Sequence, residues 1–323
     1  MSDEQDWLPG GNGYDDLRIN LPAAYSRQDE AYKSAKKNTV RKSFLRNKLS
    51  FFTTALLQKT RYMEPLVMCG FVKKWFTDFE DYWRNALNGR PLYIADFHAL
   101  RHAYRLKVQN PADYRWDSPD LHLANWQKPH NIYSTFSYVY GLALRPIRAY
   151  KAFRHLSAGM RALEFGCSLA PYYRTWKNYY NHIPVSWTLT DIANFPFHYA
   201  RHLYMRDDAV TDMPVISPEK FDQPLEDGKV YDFIVITTVF EHLHKPLTIA
   251  RHLLDHLAPG GIFVFDYILS GEATELDTPG GVKERTETLQ FLSENLTILS
   301  GSLDNINESV GLCIGQKKDG IAP

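Results

Sequence analysis

The sequence predicts an α/β fold: a mostly parallel sheet that ends in an antiparallel hairpin, preceded by an all-helical region. Three observations predict it. Up to about residue 155, apolar residues recur at spacings of three and four, the period of a helix face. After Gly159, short apolar runs alternate with helix-length segments, the pattern of a parallel sheet covered on both faces. The last two apolar runs, 296–300 and 310–316, are joined only by a short stretch through Gly301, which suits a hairpin and leaves no room for a crossover helix.

The elements follow in order. Residues 1–30 carry Pro9, Gly10, Gly11 and Gly13 without periodicity and are expected to be a mobile or wrapping segment. Leu45, Leu49, Phe52 and Leu56 form one helix face. Glu64-Pro65 interrupts it, because proline lacks an amide donor and restricts the residue before it. Val72, Trp75, Phe79, Trp83 and Ala86 form a second face, and a third helix spans 96–107. Residues 109–129 hold Pro111, Pro119 and Pro129 with Tyr114, Trp116 and Trp126, which reads as an irregular, aromatic-rich connection. A helix over 132–155, bent near Pro146, completes this part. Strands are expected at 162–165, 187–190, 233–237 and 261–267, and helices at 171–180, 195–205 and 247–257. A further strand between residues 205 and 231 is poorly defined. The expected organisation is a segment 1–30, a helical cap or substrate region 31–150, and an α/β domain 151–323.

Composition narrows the class. With 44% apolar and 23% charged residues over 323 positions, wholesale disorder is excluded. The longest apolar runs are strand-sized, far short of the ~20 residues that cross a bilayer. The acidic, glycine-containing start lacks the basic-then-apolar pattern of a secretory signal. Cys69, Cys167 and Cys313 are odd in number and far apart, so neither a disulfide framework nor a zinc ligand set is expected. A reduced, cytoplasmic protein is the expectation. Aromatic residues reach 14%, which fits a core of large side chains or an aromatic-walled pocket. Residues 1–130 carry 20 basic and 15 acidic side chains and the remainder 17 and 22, so zero net charge conceals two different surfaces. Residues 31–63 hold nine basic residues and no acid. That segment reads as a solvated amphipathic helix, a surface for an anionic substrate or nucleic acid, or a membrane-surface contact.

The chemistry concentrates where strands end. The run Arg161-Ala-Leu-Glu164-Phe-Gly166-Cys-Ser168-Leu-Ala170-Pro171 is a strand passing through small residues into a helix. Small residues let a ligand approach the backbone, and a helix N-terminus offers free amide donors. One strand–helix unit later a second strand ends in Asp191, placed to accept both hydroxyls of a ribose. Glu241-His242-Leu-His244 follows the strand at 233–237. Of these, His242 is the candidate general base, since a neutral imidazole is available near neutral pH; it also reads as a loop-packing residue. The run offers no convincing third metal ligand, and His198 and His202 lack the intervening Glu of a zinc pair. No metal is expected.

These residues resemble the class I S-adenosylmethionine-dependent methyltransferases. The family's first motif, acid-x-Gly-x-Gly-x-Gly, is matched by Glu164-Phe-Gly166-Cys-Ser168-Leu-Ala170, with Ser and Ala in the second and third glycine places. Asp191 matches the acid ending the second strand. Asp232-Phe-Ile-Val-Ile leading to Glu241-His242-Leu, and Leu257-Ala-Pro-Gly-Gly261 entering the next strand, match later features. The resemblance covers about residues 150–318 and implies a Rossmann-like, mostly parallel seven-stranded sheet whose hairpin is strands six and seven. It implies S-adenosylmethionine as cofactor: Glu164 organises the loop around its methionine part, Gly166 and Ser168 face its backbone and sugar, Asp191 holds the ribose, and Thr238 and Phe240 lie beside the methyl donor. The family's acid near the adenine is matched by Asp222, ahead of Asp212. The Ser and Ala replacements tighten the loop or slightly weaken binding and are not read as inactivating.

The expected function is methyl transfer to a small-molecule or glycan-type acceptor, O-methylation favoured, with the helical region covering the acceptor pocket. An RNA or protein methyltransferase docking through residues 31–63 is the alternative, and a catalytically silent scaffold of the same fold is the non-enzyme rival. A nicotinamide dehydrogenase is disfavoured, since Gly166-Cys-Ser168-Leu-Ala-Pro171 does not meet Gly-x-Gly-x-x-Gly. Nothing in the sequence fixes an oligomeric state.

Overall fold

The computed structural model describes residues 75–87, 96, 116–127, 135, 138–139, 150–269, 277–303 and 308–318. The segment 1–30, the basic stretch 31–63, the Leu45-to-Leu56 face and most of the helices expected over 96–107 and 132–155 lie outside the described residues. The chain divides into two units, Met1–Val108 with Lys128–Arg145, and Gln109–Gln127 with Pro146–Pro323.

In the first unit, helix α1 (Trp75–Asp81) continues into a wider π-turn over Tyr82–Ala86. Phe79 and Trp83 of the expected apolar face are buried and stack with centroids 6.3 Å apart; Phe76, Tyr82 and Leu87 broaden that face.

The second unit begins with helix α2 (Pro119–Trp126), which corrects the expectation of an irregular connection over 109–129. Ser118 Oγ accepts the Leu121 amide at 3.3 Å. Pro119 sits in the first turn, where its missing N–H has no partner to lose. After helix α3 (Tyr150–Phe153), the strands and helices alternate: β1 (Arg161–Phe165), α4 (Pro171–Tyr179), β2 (Ser186–Ile192), α5 (Phe195–Tyr204), β3 (Val210–Asp212), β4 (Val215–Ile216), β5 (Tyr231–Ile236), α6 (Pro246–Asp255) and β6 (Leu257–Tyr267). Two helices that the sequence reading does not include, α7 (Pro279–Lys283) and α8 (Arg285–Asn295), precede the hairpin β7 (Leu296–Ser300) and β8 (Val310–Lys317).

The sheet runs β3-β2-β1-β5-β6-β8-β7, with β4 also beside β2. It is parallel except where β8 pairs antiparallel with β6 and β7. Eight strands replace the expected seven because Pro214 splits the third: β3 pairs with Trp187 and Thr188, β4 with Asp191 and Ile192. Proline has no amide to give a ladder. The freed Pro214 carbonyl accepts from Thr190 Oγ1 at 2.8 Å, and the Met213 carbonyl accepts from Arg201 at 2.6 Å.

Alternation along the strands sorts the two faces. Leu163, Phe165, Ile234, Ile236, Phe263 and Phe265 join Ile249, Leu253, Leu289 and Leu292 of α6 and α8 in one buried cluster. On the other face Trp187 meets Tyr173, Trp176 and Phe233 at 5.9–6.4 Å between centroids. The aromatic excess thus serves the core: Trp187, Tyr173, Phe195, Phe197 and Phe233 are among the largest fully buried side chains. Lys317, at the end of β8, donates to the carbonyls of Leu254 and Leu257 at 2.6 and 2.8 Å and closes the carboxyl end of α6.

Candidate functional site

The carboxyl ends of β1, β2, β5 and β6 converge, since Phe165 pairs with Thr190 and Ile236, and Ile236 with Phe265. The first two deliver Glu164 and Asp191, and Thr238 follows the third. Helix α4 has Ala170 as its N-cap, which offers no side-chain acceptor. Its free amides are met instead by Glu164, whose Oε1 accepts from Tyr172 N at 3.0 Å and Oε2 from Tyr173 N at 2.8 Å. Glu164 is therefore a remote cap, supplied by the strand before the loop. Burial pushes its carboxyl up to about 8; the two amide bonds oppose that shift and the Asp191 charge adds to it.

Between Glu164 and Pro171 the chain turns through three left-handed residues: Gly166 at φ 62°, Ser168 at φ 50° and Ala170 at φ 48°. Serine and alanine thus occupy the second and third glycine places without changing the backbone those places demand, and each bears the cost of a Cβ in the left-handed region. Gly166 itself cannot be replaced so simply, because a Cβ there would lie 2.4 Å from a Val239 methyl. Asp191 fastens the loop: its Oδ2 accepts from Ser168 N and its Oδ1 from Ile192 N, both at 2.7 Å. Burial raises its carboxyl to about 6 against these bonds.

The loop after β5 is held differently. Thr238, the third non-glycine residue with positive φ among the described residues (56°), donates its amide to Asp266 Oδ1 at 2.5 Å. Asp266, at the end of β6, is a site residue the sequence reading missed; burial raises its carboxyl to about 6. A short 3-10 turn over Phe240–His242 follows. Phe240 has no exposed surface and stacks on Tyr267 at 5.4 Å. The residue expected beside a cofactor is thus packed into the core. Glu241 is 1% exposed. Burial pushes its carboxyl up to about 8, with the backbone amides of Glu241 and Ile268 opposing the shift and the Asp266 and Asp277 charges adding to it. His242 lies at the turn's end, its Nε2 3.9 Å from Glu241 Oε1 and its ring edge-on to Trp126 at 5.5 Å. The backbone of this loop is pinned by α7. Thr278 N donates to the Glu241 carbonyl at 2.9 Å and Thr278 Oγ1 to the Leu243 carbonyl at 2.5 Å. Gly281 approaches so closely that a Cβ would lie 2.2 Å from the Glu241 carbonyl oxygen.

The two acids weighed for the third strand end apart. Asp212 pairs in register with Thr188, three residues short of Asp191, and binds Lys229 at 3.0 Å. Asp222 lies beyond β4, exposed, in an ion pair with Lys245 at 2.5 Å. His202 is exposed and His198 half-buried. Among the described residues, no group of three or more His, Cys, Asp or Glu side chains gathers as a metal site.

Helix α2 adds a cluster that the sequence reading did not assemble. His122, buried, packs against Trp116 at 5.1 Å, Phe221 at 5.5 Å and His244 at 4.8 Å. Trp126 Nε1 donates to His122 Nε2 at 3.2 Å. Burial, then the nearby His244 and His242, lowers His122 to about 3.

Residues 140–299 match a family model described as a methyltransferase domain. Similar solved structures include N-methyltransferase NodS from Bradyrhizobium japonicum WM9, at 18% identity over 50% of this chain and 88% of that one, with a TM-score of 0.37. The same enzyme in complex with S-adenosyl-L-homocysteine is similar at 15% identity over 68% and 98%, with a TM-score of 0.37. A SAM-dependent methyltransferase from Aquifex aeolicus is similar at 18% identity over 53% and 88%, also with a TM-score of 0.37. No curated protein matches the chain.

Proposed function

We propose that this chain, whose residues 140–299 belong to the methyltransferase-domain family, transfers a methyl group from S-adenosylmethionine to a hydroxyl of a small-molecule or glycan-type acceptor. One observation carries the cofactor reading: Asp191 and Glu164, from adjacent strands, fix a left-handed loop of small residues at the carboxyl ends of the sheet. Open α/β sheets bind ligands at those ends. The residues fit the group. Asp191 accepts from the Ser168 and Ile192 amides and from the Asn194 side chain, and a carboxylate has about four acceptor sites, which leaves one for a ribose hydroxyl. Glu164 shapes the loop from behind rather than touching a ligand. Gly166 and Ser168 bring backbone close to the methionine and sugar parts, and Thr238 borders the methyl donor. Asp222 is preferred over Asp212 on the adenine side, because Asp212 is in register with Thr188 and so lies below the strand ends.

When bound, the cofactor supplies a methyl group already activated on a sulfonium. What the protein adds is alignment of the nucleophile and exclusion of water. A hydroxyl acceptor also needs its proton taken. His242, following β5 on that side, is the proposed base, and the rings of α2 that pack near it form the acceptor wall. A hydroxyl is favoured over other nucleophiles because the wall is aromatic and carries neutral imidazole. No described helix is long and apolar enough to cross a membrane; a cytoplasmic location is proposed with the reduced cysteines in view.

The test is calorimetric titration with S-adenosylmethionine and its demethylated product, repeated on Asp191→Ala. The expected result is binding that the substitution weakens about tenfold or more, ~1.4 kcal/mol. A folded protein that binds neither ligand would overturn the enzyme reading and favour a silent scaffold.

A further inference from the structure

We propose that His122 and His244 form a hydroxyl-recognition pair that receives the acceptor's reacting or neighbouring hydroxyl. The proposal rests on the methyl-transfer reading above and deepens it.

The hydrogen bonds around the two rings set their tautomers. His122 Nε2 accepts from Trp126 Nε1, an indole N–H that can only donate. In the neutral ring the proton is therefore on Nδ1, so His122 presents an N–H there. That Nδ1 is buried without a hydrogen-bond partner. His244 is the mirror case. Its ring donates to the Ser118 carbonyl, and its buried Nε2 has no partner. The bonded nitrogen is then Nδ1, which carries the proton and leaves Nε2 a bare acceptor. A buried donor and a buried acceptor, each unmet, thus sit on rings whose centroids are 4.8 Å apart. Leaving such groups unpaired is costly.

One group satisfies both at once. A hydroxyl oxygen accepts from Nδ1–H of His122 and gives its own proton to Nε2 of His244, two bonds of ~2.8–3.0 Å from a single oxygen. An amine cation could not accept, and a carboxylate or ether could not donate. The surroundings select what carries the hydroxyl. Trp116 and Phe221 pack on His122 at 5.1 and 5.5 Å, and Trp126 links it to His242. A buried water typically makes about three hydrogen bonds, and these rings offer it little beyond the imidazole pair. A hydroxyl on a ring, phenolic or sugar, brings carbon that stacks on them. His244 is two residues from His242, so recognition and proton removal share one loop and one helix.

The experiment uses the full chain labelled with 15N-histidine, without cofactor, titrated with phenol and with methyl β-glucoside. Anisole, which cannot donate, is the control. Phenol, the glucoside or both are expected to move the His122 Nδ1 and His244 Nε2 resonances and to bind roughly tenfold more tightly than anisole. His122→Phe and His244→Phe should each erase that preference, and His122→Asn, which keeps a donor, should retain part of it. S-adenosylmethionine affinity should be unchanged in all three. Equal binding of phenol, glucoside and anisole to the unsubstituted protein overturns the proposal, whether or not the variants fold. So does a preference that survives both Phe variants, which would place the hydroxyl elsewhere. Cofactor titration separates the two readings: cofactor binding without hydroxyl preference removes only the pair, and hydroxyl preference without cofactor binding removes its role in methyl transfer.

Discussion

The loops after β1 and β5 lie side by side at the carboxyl ends of the sheet and are built on opposite plans. In the first, side chains hold backbone: the carboxylates of Glu164 and Asp191 take the amides of Tyr172, Tyr173 and Ser168. In the second, from Phe240 onward, backbone is held from outside, by Thr278 and the close approach of Gly281. The Glu241 side chain is buried beneath that backbone, and His242 lies edge-on to Trp126. The lesson is a division of labour. A loop that must present its backbone consumes its polar side chains in doing so. A loop whose side chains turn inward has its backbone fixed by a neighbour.

The comparison breaks most visibly at Glu164. Glu164→Ala leaves two buried helix amides unmet, and the expected loss is about 4 kcal/mol, from ~1–3 for each group. Urea unfolding measures it, and cofactor binding should fail in the same variant. An unchanged midpoint would mean that α4 does not depend on its remote cap.

Glu241 tests the other plan. Its carboxyl titrates at 4.5 in the unfolded chain and near 8 here, so folding favours the protonated form. Stability is then greatest below pH 4.5 as far as this group is concerned, falls as pH rises toward 8, and stays flat beyond. Glu241→Gln should remove that slope and stabilise the protein by ~2 kcal/mol at pH 8, less than the full linkage because burying an amide is also costly. Unfolding measured at pH 5, 7 and 8 checks it. A variant less stable than the parent at pH 8 would show that the backbone bonds to the carboxylate outweigh its burial.

The smallest expected effect sharpens the first plan. Ala170→Gly relieves a left-handed alanine, ~1 kcal/mol, and gives back ~0.5 kcal/mol of unfolded-chain entropy. A net gain near 0.5 kcal/mol is expected from thermal unfolding. A loss would mean that the Ala170 methyl, fully buried, contributes more by packing than it costs by strain.

Much of the first plan was legible in the sequence, because strand ends and small residues are local signals. Glu164, Gly166 and Asp191 could be placed by the apolar run before each. The second plan was not. Phe240 and Glu241 follow a strand and Asp266 ends one, and only packing decides that Phe240 turns to Tyr267, that Glu241 is buried, and that Asp266 meets Thr238. Helix α2 was hidden by Pro119 and the prolines on either side of it, Pro111 and Pro129, although Ser118-Pro119 is itself a helix-start signal. The split third strand was hidden because β3 and β4 are too short for alternation to register, with Pro214 between them.

The place of β8 has a consequence for how this domain comes into being. It lies between β6 and β7, yet follows both in the chain. During synthesis β6 exists with a bare edge, and β7 has no neighbour to pair with, until residues 310–317 emerge. Unpaired edges invite other strands, and such non-local pairing forms late. The nascent domain therefore passes through a vulnerable interval after most of its site residues are already made, and the amine of Lys317, closing α6, is among the contacts that end it.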